Sequence, residues 1–234
     1  MSQFPRFQQR LQEKAQDVFK RAVTYVAIGD SVTQGCMQHE VVEYTDIYHQ
    51  VFRRAAEQRY QGTVLNVINS GVSGDTAEGS RSRWERDVLL YKPDLVTICF
   101  GHNDAHGGMD GIATYIQAIR DLVDQIQAET EAEVLLITPC MMMKRNNANI
   151  AEVHRPLTAD FIRLAESGVL DRYVAALKQF AAERGLPCLD VYAEWEEMER
   201  KGEDIHALLS NGLNHPDQSF HRRWGALLEA KLLD

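Results

Sequence analysis

The chain contains 234 residues, of which 44% are hydrophobic and 25% charged, and its formal net charge is −9. This composition is typical of one globular domain with a sizeable core, and it excludes disordered and collagen-like proteins. The negative charge argues against nucleic acids and anionic membranes as partners, because both are bound by clustered basic residues. No run of roughly 18 apolar residues is present, so the sequence predicts no membrane span.

An amphipathic segment, residues 6–21, lies near the start of the chain and predicts a helix before the first strand. Its apolar side chains could pack on the domain or on a partner. We expect a single domain over residues 1–234, with residues 1–22 as a helical extension packed on or beside it. The N-terminus has no apolar core or cleavage site of a signal peptide, which predicts a cytoplasmic protein. Cys99 and Cys188 lie in or beside apolar runs, which predicts small core residues.

Five short apolar runs alternate with longer helical patterns along the rest of the chain. The runs are apolar on both faces, as in strands of a covered parallel sheet. They comprise residues 25–28, 64–68, 95–100, 134–138 and 186–191. The helical patterns comprise residues 46–60, 76–90, 112–128, 169–184 and 218–232. Asp75 and Glu78 predict a capping box at the start of the second helix. The alternation predicts an α/β fold, a three-layer α/β/α sandwich with a five-stranded parallel sheet.

Polar residues follow the carboxyl ends of these strands, where ligands bind in parallel sheets. Ser31 follows the first strand and Gly71 the second. Asn103 follows the third strand, and His215 precedes the last helix. Acyl transfer from a serine requires this set of a hydroxyl, amide donors and an imidazole. The imidazole would take the proton of the hydroxyl, while the amides of Ser31 and Gly71 and the side-chain NH₂ of Asn103 would bind the oxyanion.

The blocks that contain these residues resemble those of the SGNH hydrolase superfamily, whose members are also called GDSL esterases or lipases. Residues 29–35 match the family pattern Gly-Asp-Ser-x-Thr-x-Gly at every fixed position. Residues 101–104 match its Gly-x-Asn-Asp block, and Gly71 and His215 match its glycine and histidine. The resemblance extends from residue 25 to about residue 230, with the blocks in the family's order.

The resemblance implies that Ser31 is the nucleophile, that His215 is the base, and that Gly71 and Asn103 complete the oxyanion hole. It also implies that Asp30 is structural and holds the nucleophile loop through hydrogen bonds. The fold it implies is a flavodoxin-like parallel sheet, and no metal or organic cofactor is expected.

The sequence departs from the family pattern three residues before the histidine, where the family has an aspartate that orients the imidazole and this chain has Gly212. Three substitutes are possible: the carbonyl of Gly212 or a neighbour, the side chain of Asn211 or Asn214, and Asp217. We expect Asp217 to cap the last helix instead. A Ser–His dyad steered by a carbonyl or amide oxygen is therefore predicted, with slower chemistry than a triad.

Two further segments near the predicted site allow alternatives. His102 and His106 could line the pocket or, with Asp104, suggest a metal, although a spacing of four residues is meaningful only on a helix. Residues 141–143 are three methionines that could form an acyl-binding wall or ordinary packing.

The stretch at residues 144–168 is long and polar at its start, and it predicts a loop. Within it, Arg145 and Asn147 could contact substrate or be solvated. Polar residues in this loop favour a sugar substrate, while the methionines before it favour an acyl chain.

The leading hypothesis is hydrolysis of a carboxylic ester of a small molecule or carbohydrate, with a short, acetyl-type acyl group. Lysophospholipase or thioesterase activity is the alternative within the same chemistry. A catalytically silent module that binds an acylated ligand is the alternative from another class, because Gly212 replaces the orienting aspartate. The expected partner is a small-molecule ester, and the oligomeric state and natural substrate stay open.

Overall fold

A five-stranded parallel sheet forms the centre of the computed structural model, which describes residues 3–234. Its strands are β1 Val23–Gly29, β2 Leu65–Gly71, β3 Leu95–Cys99, β4 Glu133–Ile137 and β5 Cys188–Leu189. They lie in the order β2-β1-β3-β4-β5, and every neighbouring pair is parallel. The first two residues of the predicted extension 1–22 lie outside the described residues.

Helices cover both faces of the sheet, so the predicted α/β/α sandwich is confirmed. All five residues of β3 are buried, as expected for a strand covered on both sides. The helices are α1 Pro5–Gln16, α2 Ser31–Gln34, α3 Tyr48–Arg59, α4 Trp84–Asp87, α5 Ile112–Glu129, α6 Thr158–Ser167, α7 Val169–Arg184, α8 Val191–Arg200 and α9 Gln218–Leu233.

The predicted helix over residues 76–90 is wrong, because this segment is broken into two 3₁₀ turns around the short helix α4. The predicted capping box does not form. The carboxylate of Asp75 instead pairs with Arg83 at 2.7 Å, and Glu78 pairs with Arg81 at 2.7 Å. Side-chain pairing across the segment therefore replaces the helix start that the sequence pattern indicates.

Two other segments differ from the sequence prediction. The long loop expected over residues 144–168 contains a 3₁₀ turn, Glu152–Leu157, and then α6. The last predicted strand is reduced to two residues, because Asp190 accepts a hydrogen bond from Ala193 N and starts α8.

The N-terminal helix α1 packs on the rest of the chain rather than extending away from it. Phe7 and Leu11 are buried, and the Phe7 ring lies 6.2 Å from that of Phe52 on α3. Phe7 N also donates a hydrogen bond of 2.8 Å to the carboxylate of Glu133 at the start of β4. The helix ends at Gln16 rather than at residue 21, and Phe19 is exposed.

The strand order places the loops that follow β1 and β3 side by side. The chain passes from β1 to β2 on one side and then to β3 on the other, which opens a crevice at the carboxyl ends of β1 and β3. Ser31 follows β1 and Asn103 follows β3. None of the helices in residues 3–234 is long and apolar enough to cross a membrane.

The last helix tests how much a single cap contributes to stability. Asp217 accepts a hydrogen bond of 2.9 Å from Phe220 N at the start of α9, which confirms the predicted N-cap. The helix packs on α3 through Trp224, whose ring stacks on Tyr48 at 4.5 Å. We expect Asp217→Ala to lower the free energy of unfolding by about 1 kcal/mol, because it removes the N-cap acceptor.

Urea unfolding followed by circular dichroism measures this loss. The matched control is Asp217→Asn, which keeps an N-cap acceptor and should stay within a few tenths of a kcal/mol of wild type. Equal stability of the Asp217→Ala variant and wild type would contradict the assigned cap.

Candidate active site

The segment that carries Ser31 is a sharp turn from β1 into the short helix α2. Asp30 caps this helix by accepting a hydrogen bond of 2.9 Å from Val32 N. Ser31 is the first residue of α2, so its N–H lies in the first turn, where helices leave backbone donors unpaired. Within residues 3–234, the N–H of Ser31 has no hydrogen-bond partner. The hydroxyl and the amide of one residue therefore stand at the same strand end.

His215 contacts Ser31 directly. Its Nε2 lies 2.9 Å from Ser31 Oγ, and its Nδ1 lies 2.8 Å from the carbonyl oxygen of Met37. A carbonyl can only accept a hydrogen bond, so the proton of the neutral ring is on Nδ1. Nε2 then carries the lone pair that can accept the proton of Ser31. This tautomer is the one that a general base requires.

The side chain of Asn211 makes three hydrogen bonds to the backbone of the loop that carries His215. Asn211 Oδ1 accepts hydrogen bonds from the N–H groups of Leu213, Asn214 and His215 at 2.9–3.0 Å. Burial lowers the pKa of His215 to about 4, while the bond to the Met37 carbonyl acts in the opposite direction. The imidazole is therefore neutral, and able to act as a base, at neutral pH.

The carbonyl of Met37 replaces the family's orienting aspartate. None of the named substitutes orients the ring: Asn211 and Asn214 hold the loop, and Asp217 caps α9. The group that orients the ring is a carbonyl oxygen, as predicted, but it belongs to a residue that was not among those expected. Met37 is 178 positions from His215, so no local pattern indicates the contact.

The position of Gly212 has no room for a carboxylate. Its φ is +71°, in the left-handed region that favours glycine. A Cβ there would lie 2.6 Å from Ile150 and 2.8 Å from Asn147 Oδ1. Asn147 Nδ2 donates a hydrogen bond of 2.8 Å to the Gly212 carbonyl. Residues 147–150 therefore cover this turn. Asn147, for which substrate contact and solvation were the alternatives, contacts the His215 loop.

Gly71, the expected oxyanion donor, does not have a free N–H. Its N–H donates a hydrogen bond of 3.0 Å to Asn69 Oδ1, so it is not free to bind an oxyanion. A Cβ on Gly71 would overlap the backbone of Gln34 on α2. The glycine is required because β2 and α2 approach closely, which is a packing role.

Gly74, rather than Gly71, has a backbone N–H that is free within residues 3–234, and open space beside it. It lies in a β-turn closed by a hydrogen bond of 3.1 Å from Asp75 N to the Val72 carbonyl, and its φ of +80° fits the third position of a type II turn. Within the described residues its N–H has no partner, and nothing lies within 4 Å of the site of a Cβ. The sequence has both glycines in one loop, and only the backbone angles distinguish them.

Asn103 lies next to this turn. Its Nδ2 donates a hydrogen bond of 2.7 Å to the Asp75 carbonyl, directly after Gly74. A carboxamide nitrogen carries two hydrogens, so one donor is left for a ligand. Three amide groups, those of Ser31, Gly74 and the Asn103 side chain, therefore follow β1, β2 and β3 at the same edge of the sheet.

The histidines after β3 are separated by their contacts. His102 Nε2 lies 2.6 Å from the carbonyl oxygen of Cys140, whereas His106 packs against the Phe161 ring at 5.4 Å. Asp104 accepts a hydrogen bond of 3.0 Å from Ala77 N, and burial raises its pKa to about 7. In the part of the chain that the structure describes, no three His, Cys, Asp or Glu side chains come together in a way that could hold a metal ion.

The three methionines after β4 are packing residues. Each is at most 2% exposed, and Met143 N donates a hydrogen bond of 2.6 Å to the Leu213 carbonyl in the His215 loop. Arg145 forms an exposed ion pair of 3.0 Å with Asp204. The segment after β4 thus supports the histidine loop through a backbone hydrogen bond.

Comparison with known proteins identifies the family of this chain. Residues 27–223 match the model of the GDSL-like lipase/acylhydrolase family. The chain belongs to this family. An acetylxylan esterase of Geobacillus stearothermophilus is 27% identical over 138 residues, which cover 57% of this chain and 58% of the relative. The lipoprotein YqeF of Bacillus subtilis is 36% identical over 80 residues, 34% of this chain and 31% of that protein. The chain thus matches less than two thirds of either relative.

Solved structures share the fold over nearly the whole chain. A lipase/acylhydrolase from Enterococcus faecalis has a TM-score of 0.67 at 25% identity and covers 89% of this chain and 94% of its own. The acetylxylan esterase Axe2 of G. stearothermophilus has a TM-score of 0.66 at 21% identity, with 91% and 94% covered. Catalytic mutants of Axe2 replace a serine, a histidine, or an aspartate three residues before that histidine.

Placing an aspartate at position 212 tests whether the site merely lacks the family's carboxylate or uses Met37 in its place. We expect Gly212→Asp to slow the labelling of Ser31 by a fluorophosphonate at least tenfold, because the side chain collides with Ile150 and forces the His215 loop to move. Mass spectrometry of the adduct measures the rate.

The matched control is the double variant Gly212→Asp with Ile150→Ala, in which part of the collision is relieved. It should recover some of the lost rate without exceeding wild type. Faster labelling of the single variant than of wild type would contradict the assignment of Met37 as the group that orients His215.

Proposed function

We propose that the protein is a serine esterase that hydrolyses carboxylic esters through an acyl-enzyme on Ser31. The observation that carries this proposal is the 2.9 Å contact between Ser31 Oγ and His215 Nε2, in a ring whose Nδ1 is engaged by a backbone carbonyl. A serine hydroxyl is a poor nucleophile until a positioned base takes its proton. The neutral tautomer of His215 supplies that base.

The reaction follows from the positions of the two side chains. Ser31 Oγ attacks the ester carbonyl carbon while its proton passes to His215 Nε2. The tetrahedral intermediate collapses as the imidazolium returns this proton to the departing alcohol, leaving an acyl group on Ser31. Water then attacks the acyl carbon by the same route and releases the carboxylic acid and the free serine.

The oxyanion of each intermediate needs donors that are free before substrate binds. The amides of Ser31 and Gly74 and the second hydrogen of Asn103 Nδ2 are such donors, and Gly74 takes the role that the sequence analysis gave to Gly71. One such donor contributes roughly 3–4 kcal/mol to transition-state stabilisation in measured enzymes.

An acetyl-type group on a carbohydrate or small molecule is the substrate we propose. The matched relative from G. stearothermophilus is an acetylxylan esterase, which supports a carbohydrate ester. Met141, Met142 and Met143 are at most 2% exposed, so they offer little apolar surface to the long-chain lysophospholipid or thioester substrate that is the alternative. The neutral, engaged imidazole argues against a silent binding module.

The acidic composition fits a small-molecule ester better than a nucleic acid or a membrane surface. We also place the enzyme in the cytoplasm, an assignment supported by four cysteines that are all free thiols, as is usual in a reducing compartment.

The dyad is tested by hydrolysis of p-nitrophenyl acetate, butyrate and octanoate and of an acetylated xylo-oligosaccharide. We expect wild type to favour acetate, and Ser31→Ala and His215→Ala to lose at least 1,000-fold in kcat/KM, on the order seen for dyad members elsewhere. The control Ser82→Ala, an exposed serine away from the site, should keep wild-type activity. Full activity of either dyad variant would overturn the proposal, and a preference for octanoate would move the substrate to long-chain acyl esters.

The two glycines after β2 provide a matched pair for the oxyanion hole. Gly74→Ala strains a turn at a φ of +80° but meets no neighbouring atom, so we expect kcat to fall about tenfold or more, with a smaller loss of melting temperature than in Gly71→Ala. Gly71→Ala places a methyl group into the backbone of Gln34, so we expect a lower melting temperature.

Steady-state kinetics and thermal unfolding, measured on both variants, separate the two effects. If Gly71→Ala lowered kcat at an unchanged melting temperature while Gly74→Ala left kcat at the wild-type value, the original assignment of Gly71 would be restored.

A further inference from the structure

Two buried ionisable side chains lie beneath the site and take no part in the mechanism above. Asp30 directly precedes Ser31, and His102 directly precedes Asn103. Each is 2% exposed, and His102 Nδ1 lies 3.8 Å from Asp30 Oδ2. The pair therefore joins the loop of the nucleophile to the loop of an oxyanion donor.

The surroundings determine which atoms of the pair carry hydrogen. His102 Nε2 lies 2.6 Å from the Cys140 carbonyl, which can only accept, so Nε2 is protonated. A neutral ring then presents the lone pair of Nδ1 to the carboxyl group. Asp30 Oδ1 already accepts the hydrogen bond from Val32 N, so Oδ2 is the oxygen that faces the ring. Without one more proton, two buried acceptors would oppose each other.

The charges around the pair favour keeping that proton. Burial raises the pKa of Asp30 to about 7, and it lowers the pKa of His102 to about 4. Burial also raises the pKa of the neighbouring thiols, which stay neutral. The titratable and charged groups that face the pair are Asp75, Asp104, Cys36, Cys99, Cys140, Tyr115, His106 and His215, with Arg83 bonded to the Gly29 carbonyl. Arg83 is already paired with Asp75 and Asp87.

We propose that Asp30 and His102 form one positioning unit that shares a single proton, carried by Oδ2 or by Nδ1, at neutral pH and so keeps Ser31 and Asn103 in register. The effect of this unit on catalysis rests on the proposed esterase function. The proton lies on the carboxyl group or on the ring, and the pair is uncharged overall in both cases. Neither side chain touches the substrate.

Loss of this proton to solvent at higher pH has two effects that act in the same direction. The lone pair of Nδ1 and the carboxylate repel each other, which separates the two loops. A buried negative charge also appears next to Ser31, where it opposes the oxyanion. Both effects lower kcat/KM as pH rises. The acid side of the profile has a different origin, because it follows protonation of His215 near pH 4.

The test is the pH profile of kcat/KM for p-nitrophenyl acetate in wild type, His102→Gln and the control His106→Gln. We expect wild type to fall by about tenfold per pH unit above a midpoint near 7 or higher, as one proton is lost. In His102→Gln the glutamine amide can donate to Asp30 at every pH, so this fall should shrink to less than twofold. His106→Gln should keep the wild-type fall.

A second measurement, NMR of the His102 ring, does not depend on turnover. The ¹⁵N resonance of His102 Nδ1 in the full-length protein should titrate with the same midpoint as the fall in activity. If it keeps the shift of a free lone pair from pH 5.5 to 9, or if His102→Gln keeps the alkaline fall, the proposal is wrong. If wild type is inactive but Nδ1 of His102 titrates, the esterase proposal is wrong and the shared proton is retained. If His102→Gln does not fold, the His102 resonance alone decides.

Discussion

The contact between His215 and Ser31 depends on a hydrogen bond that a backbone atom provides. The carbonyl of Met37 holds Nδ1–H, and Nε2 is thereby left with the lone pair that faces Ser31 Oγ. Leaving a buried imidazole N–H without a partner would cost about 1–3 kcal/mol, so the ring has one favoured orientation. The turn after α2, which carries Met37, therefore aims the base as well as continuing the nucleophile loop.

A carbonyl in the place of a carboxylate changes the chemistry as well as the geometry. A carboxylate carries a full negative charge that attracts the imidazolium formed during acyl transfer, whereas the Met37 carbonyl is neutral, so the imidazolium gains less here than in a triad. The chain has no room to add the missing group, because Ile150 and Asn147 cover Gly212. The segment after β4 thus holds the histidine loop in place, while Met37 orients the ring.

Much of this arrangement could be predicted from the sequence, and the exceptions have physical reasons. Residues 29–35 and His215 carry short-range or family patterns, and β3 has the apolar run of a covered strand. The contact of Met37 with His215 joins positions 178 apart, so no local pattern contains it. Gly71 and Gly74 share one loop, and only φ and the approach of Gln34 distinguish their roles. The helix expected over 76–90 is instead two 3₁₀ turns around α4, where Arg83 bonds Asp75 and the carbonyl of Ser70, contacts that helical periodicity does not indicate.

The tautomer of His215 tests the central claim most directly. A ¹⁵N-resolved NMR spectrum of the wild-type protein, with His215 assigned by comparison with His215→Ala, reports which ring nitrogen carries hydrogen. The account predicts a protonated Nδ1 and an unprotonated Nε2 from about pH 5.5 to 8, because burial holds the pKa of the ring near 4. A proton on Nε2 alone, or a doubly protonated ring at pH 7, would contradict it, because neither form can take the proton of Ser31.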